Sequence, residues 1–288
     1  MKKRIALLAL AALALFALAG CRTAAEMEET DSPAIEPAAS EAGAPAASQP
    51  DESGDDPDGI PSGEPATCRV KALPNDWGWL LVTDWGEPEY PVGLCSVSVK
   101  DAQILGADGE AAALEELRPG MILDITWNGI VLESYPGQLA ADQIRVVEQG
   151  DDLVGLYRQV LAELWTEAGQ KTGVERLAFD FSGLTGLSAG EQSALAYLTA
   201  CKLEMGFSYD IGTWDELAER GSITVDDEGY WTDGMMLSLS LYEQEEGHVG
   251  IIASSSRAKE GAIMVLTCTA DRQEDGSWSY QSFSPSGT

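Results

Sequence analysis

The chain has 288 residues, 48 acidic against 17 basic, for a formal net charge of −31. So strong a polyanion is repelled by phosphate backbones, which excludes a nucleic-acid partner. One histidine and five cysteines with no C-x-x-C pair exclude the usual zinc sites, and no cofactor is implied.

The first element is a leader. Lys2, Lys3 and Arg4 precede an apolar stretch of about fourteen residues, Ile5 to Leu18. A bilayer takes ~20 such residues to span, so this stretch predicts a cleaved secretory signal over 1–20, with Leu18, Ala19 and Gly20 as the small residues before the cut. Leu18-Ala19-Gly20-Cys21 resembles the bacterial lipobox. The resemblance implies that Cys21 becomes the acylated first residue of a mature lipoprotein, held on a cell membrane and facing outside the cytoplasm. Two or three acyl chains, at ~0.8 kcal/mol per buried CH₂, anchor stably where one would not. From Arg22 to Ala66 the chain carries twelve acidic residues, one basic and no aromatic. Such a segment cannot bury enough apolar surface to fold. Residues 21–66 therefore read as the lipidated cysteine and a disordered acidic tether, extended by proline and self-repulsion.

Residues 67–149 change to short apolar runs punctuated by Gly, Pro and Asp: CRVKAL, WGWLLVTD, VGLCSVSV, MILDITWNGIVLES and DQIRVVE. These predict a small antiparallel β-barrel, OB-like in size, with Trp79, Ile122, Ile125, Trp127 and Val131 filling it. Asn128-Gly129 predicts a type I′ hairpin joining MILDITW to IVLES. LEELRPGM predicts a helical turn stopped at Pro119-Gly120. The run from Leu117 to Val147, with Glu133-Ser134-Tyr135-Pro136 near its middle, resembles the YobA-like domain of unknown function found in exported proteins of Gram-positive bacteria. That resemblance implies a compact barrel and carries no activity with it.

Residues 150–288 read as an α+β domain. DLVGLYRQVLAELWTEAG has Leu153, Leu156, Tyr157, Val160, Leu161 and Leu164 at helical spacing behind Asp152. A strand, RLAFDFS, follows. Ser188-Ala-Gly-Glu191 and Thr213-Trp-Asp-Glu216 are capping boxes opening two further helices, the second of them short. MMLSLSLYE, HVGIIASSS, AIMVLTCTA and SWSYQSF then predict an antiparallel meander with helices on one face. LYRQVLAELW, FDFSGLTGLS, GTWDELAERGSI and YWTDGMMLS resemble a C-terminal module of lipoproteins and membrane-bound sensor-like proteins from Gram-positive gut bacteria, which names no catalytic residue.

Chemistry is harder to find. Cys68 and Cys95 fall in the first folded part, Cys201 and Cys268 in the second, so one disulfide per part and four buried thiols are both open readings. Gly186-Leu187-Ser188-Ala189-Gly190 fits G-x-S-x-G, with Asp233 and His248 following in hydrolase order, but no sharp strand-to-helix elbow surrounds it. Ser188 already serves as a helix cap. Asp226, Asp227, Glu228 and Asp233 crowd Tyr230 and Trp231 without the calcium-loop spacing. Glu243, Glu245 and Glu246 lie beside the one histidine and read as a solvated turn. Trp77, Trp79 and Trp85 offer a stacking platform, although core packing accounts for Trp79. With no metal or catalytic set assigned, the expected role is binding, sensing or envelope support, with the membrane, an unknown protein or a small ligand as partner. The alternative is an exported hydrolase acting on glycan or ester substrates.

Overall fold

Five short strands close on themselves in the first half of the computed structural model, which describes residues 64–74, 79–206 and 208–283. The expected leader, Cys21, nearly all of the expected tether and Trp77 lie outside the described residues. Strands β1 (Ala66–Leu73), β2 (Leu80–Asp84), β3 (Cys95–Ser98), β5 (Ile122–Trp127) and β6 (Gly137–Glu148) follow the order β3-β2-β1-β5-β6, and β6 returns to β3. A sixth strand, β4 (Gln103–Leu105), attaches to the far half of β6. Cys68, Val70, Val82, Val97, Ile125, Trp127 and Ile144 fill the interior. On the outer face Asp124 takes Arg69 at 2.8 Å and Arg145 at 2.9 Å. Both guanidiniums hold its carboxyl below the usual range, the Arg69 hydrogen bond foremost.

Two expectations are corrected here. The barrel is mixed, because the first residues of the twelve-residue β6 run parallel to β3 (Cys95↔Gly137 to Ser98↔Ala140) while the rest pair antiparallel with β5. The hairpin after Asn128 does not form. Asn128 turns its own Oδ1 onto the Ile130 N–H at 3.1 Å, and Gly129 takes φ +79° while Asn128 is not in the left-handed region that a I′ turn demands. Residues 128–136 are therefore a loop, and β5 finds its partner in β6 instead.

The second half carries helices α1 (Leu153–Glu167), α2 (Ala189–Lys202) and α3 (Trp214–Glu219) and six strands: β7 (Arg176–Gly183), β8 (Tyr209–Ile211), β9 (Gly234–Glu245), β10 (His248–Ser256), β11 (Met264–Arg272) and β12 (Trp278–Phe283). Their order is β12-β11-β10-β9-β7-β8. The predicted meander is antiparallel from β9 to β12. The sheet as a whole is mixed, since β7 lies parallel to both β8 and β9. Parallel neighbours need a long crossover, and α2 supplies it between β7 and β8. The described molecule is thus mostly β, a closed mixed barrel followed by a second sheet with few helices.

Asp152, Ser188 and Thr213 start the three helices as their sequence signatures predict, each accepting a backbone N–H three residues on. Leu156, Tyr157, Val160 and Leu164 of α1 pack with Phe179, Leu237, Ile251 and Leu266 of the sheet. Leu73, Leu81 and Leu94 of the barrel belong to that same cluster. Strand β2 and the second half of β1, Val70 to Leu73, are consequently buried on both faces, and the described residues fall within one unit, Asp55–Thr288.

Candidate functional site

A cleft opens on the outside of the barrel where β3 and β6 run side by side. Outward side chains there are short, with Ser96 and Ser98 on β3 and Ala140 beside Gln138 on β6, so the paired strands make a low floor. The failed hairpin forms one wall through Asn128, Ile130 and Leu132, and half-buried Trp79 closes an end. The cleft holds about 500 Å³. A neighbouring hollow of about 410 Å³ shares Trp79, Ser96 and Gln138 with it and continues under Ser134, Tyr135 and Pro136. Volumes of this size suit small organic ligands.

What the walls lack decides their chemistry. In a chain that is 23% charged, neither hollow has an Asp, Glu, Lys or Arg among the described residues that line it. Leu132 stays 56% exposed on the rim, an apolar group left in water where a solvated acidic side chain would fit the rest of the surface. The polar groups are held in set directions. Asn128 spends its carbonyl on Ile130 N, while Gln138 donates from Nε2 to Ser134 Oγ at 3.1 Å, and Ser134 Oγ donates to Pro136 O at 2.6 Å. Asn128 Nδ2 and Gln138 Oε1 make no hydrogen bond to any of the described residues.

The loop that walls the cleft also reaches the second sheet. Tyr135 meets Tyr197 of α2 edge-on, ring centroids 5.5 Å apart. Burial pushes the Tyr197 hydroxyl up to about 12, and burial with the adjacent Tyr135 raises Tyr209 of β8. Nearby, Lys71 leaves the outer face of β1 and is 3% exposed. Its ammonium donates to Glu191 at 2.8 Å and to Asp151 at 3.1 Å, and it lies 4.8 Å from the Trp85 ring centre. Glu191 is itself 1% exposed and also accepts from Ser188 N. This buried pair joins the barrel to α2.

The remaining sequence candidates are dispersed. Ser188 Oγ is occupied by Glu191 N in its capping box. Asp233 precedes β9, whereas His248 follows that strand's end and pairs with Glu245 across the turn. At ~3.3 Å per residue, twelve residues of strand hold Asp233 and His248 roughly 35 Å apart, so the acid–histidine pair a hydrolase would need is not assembled from them. His248 Nδ1 bonds Asp271 at 2.7 Å instead. Asp226 turns its carboxylate onto Glu228 N and Tyr230 N, Trp231 is buried, and the acidic loop is a closed turn. Among the described residues, no three His, Cys, Asp or Glu side chains converge as metal ligands.

Trp79 is not a barrel-core residue as expected. It packs against the core shared with the helices and lines the cleft. Trp85 faces Lys71. Cys68, Cys95, Cys201 and Cys268 are free thiols. Burial pushes Cys68 and Cys95 up to about 12 and Cys268 to about 11, which keeps them protonated and unreactive. No helix among the described residues is long and apolar enough to cross a membrane. Sequence reasoning missed the cleft because its small floor residues and loop carry no motif; Val131 packs against the barrel core as expected, and the one available signal was its apolar neighbours Ile130 and Leu132, which that core does not take up. No protein-family model matches the chain, and no curated protein proves similar to it.

Proposed function

We infer that this is a lipid-anchored extracytoplasmic binding protein without a catalytic role, its ligand received in the barrel cleft. The observation that carries the reading is a lining whose described residues are all uncharged, in a chain of net charge −31. Such a lining selects a neutral ligand with both apolar and hydrogen-bonding edges. The barrel is read as OB-like and YobA-like, and the second half as an α+β domain with α1 and α2 on one face of its sheet. The acidic tether behind Cys21 holds both off the membrane and keeps neighbouring copies apart by repulsion. An exported hydrolase has no comparable support, with Asp233 and His248 at opposite ends of β9.

The reading has two parts and each has its measurement. Growth with an alkyne-tagged fatty acid is expected to label the wild-type chain and not Cys21→Ala; equal labelling of the two, or none, defeats the anchor. A ligand-observed NMR screen of neutral fragments on the full chain is expected to yield hits that vanish in Ala140→Trp, which fills the cleft floor. Hits that persist in that variant, or hits confined to charged fragments, defeat the cleft.

A further inference from the structure

We propose that the cleft takes a neutral oligosaccharide built from N-acetylated amino sugars, with one acetamido group held between Asn128 and Gln138. The proposal rests on the binding reading above and names its ligand. Asn128 has its carbonyl tied to Ile130 N, which leaves Nδ2 to donate. Gln138 has its amide nitrogen tied to Ser134 Oγ, which leaves Oε1 to accept. One fixed donor and one fixed acceptor match the C=O and N–H of a secondary amide. Ile130 and exposed Leu132 sit beside them, an apolar seat for the acetyl methyl.

The rest of the cleft suits the sugar ring. Trp79 lines both hollows and is the kind of ring against which the C–H face of a pyranose packs, and Ser96 and Ser98 offer hydroxyls that both donate and accept, while Ser134, its O–H given to Pro136, can only accept. The two hollows share Trp79, Ser96 and Gln138, so they form one trough with room for consecutive residues of a chain. A carboxylated or phosphorylated glycan would enter without a cation to meet it, since no Lys or Arg is among the described residues that line either hollow. Burying such a charge unpaired is costly.

The test is calorimetric titration of the full chain, in a zwitterionic detergent without a sugar headgroup, with three probes: tetra-N-acetylchitotetraose, cellotetraose and a neutral N-acetylated alanine tetrapeptide. The chitotetraose is expected to bind, with cellotetraose about tenfold weaker for want of the two acetamide hydrogen bonds. Asn128→Ala and Gln138→Ala are each expected to weaken it about fivefold, and Trp79→Ala by tenfold or more. Trp79 also packs on the shared core, so Leu132→Asp, at an exposed position, supplies a second variant that folds and is expected to abolish binding. Equal affinity for cellotetraose overturns the acetamido assignment. Binding of the tetrapeptide alone, lost in Leu132→Asp, overturns the saccharide while the neutral cleft stands. No binding by any probe overturns this proposal, and the fragment hits lost in Ala140→Trp then decide separately whether the cleft binds at all.

Discussion

His248 is the only histidine in the chain, and its bond to Asp271 raises its pKa above the ordinary value, with Glu243 and Glu245 adding to the effect. A raised folded pKa means that the pairing stabilises the fold at pH below the unfolded value and fades as pH climbs through the folded one. An NMR titration of the imidazole is expected to show this elevated midpoint, and Asp271→Asn is expected to lower it; an unchanged midpoint contradicts the pairing. Lys71 and Glu191 are a different case, because both are buried. Lys71→Met leaves Glu191 without its cation inside the protein, at a cost of about 3–5 kcal/mol. Adding Glu191→Gln removes the stranded charge, keeps a capping-box side chain, and is expected to recover more than half of that loss in urea denaturation. Equal stability of the single and double variants would sink the claim that the pair is an interior one.

At the scale of elements, helix starts were the most legible feature of the sequence. Asp152, Ser188 and Thr213 each cap where their spacing says they should, because a cap is a local event needing three or four residues. Ser188→Ala is expected to cost ~1 kcal/mol of stability by thermal denaturation and to leave cleft binding untouched; a loss of binding with stability intact would give Ser188 a role beyond capping. The meander was legible for a similar reason, since Leu237, Leu239 and their neighbours alternate and consecutive strands pair. What the sequence hid was non-local. The parallel contact of β3 with β6 joins residues some forty positions apart, and Asn128-Gly129 reads as a hairpin until Asn128 bends back onto Ile130. That misreading is what concealed the cleft wall. The two-sided burial of β2 did leave a trace, in the unbroken apolar run Leu80-Leu81-Val82, which alternation would not require of a strand with one wet face.

For the molecule as a whole, Leu73, Leu81 and Leu94 make the barrel and the helix-covered sheet share one core. A shared core predicts cooperative loss of both halves. Leu81→Ala is expected to cost about 2–5 kcal/mol and to shift a single urea transition seen alike by tryptophan fluorescence and far-ultraviolet circular dichroism. Two separated transitions would mean that the halves unfold independently. The same coupling gives the cleft a route outward, for the loop that walls it sets Tyr135 against Tyr197 of α2. The account turns on recognition without charge at that cleft. Its most direct test is a map of amide chemical shifts in the full chain on addition of tetra-N-acetylchitotetraose at low and at high salt. Shifts confined to Trp79 and residues 96–98, 128–136 and 138–140, with an affinity that salt leaves unchanged, are the predicted result; shifts elsewhere, or an affinity that collapses as salt rises, would contradict it.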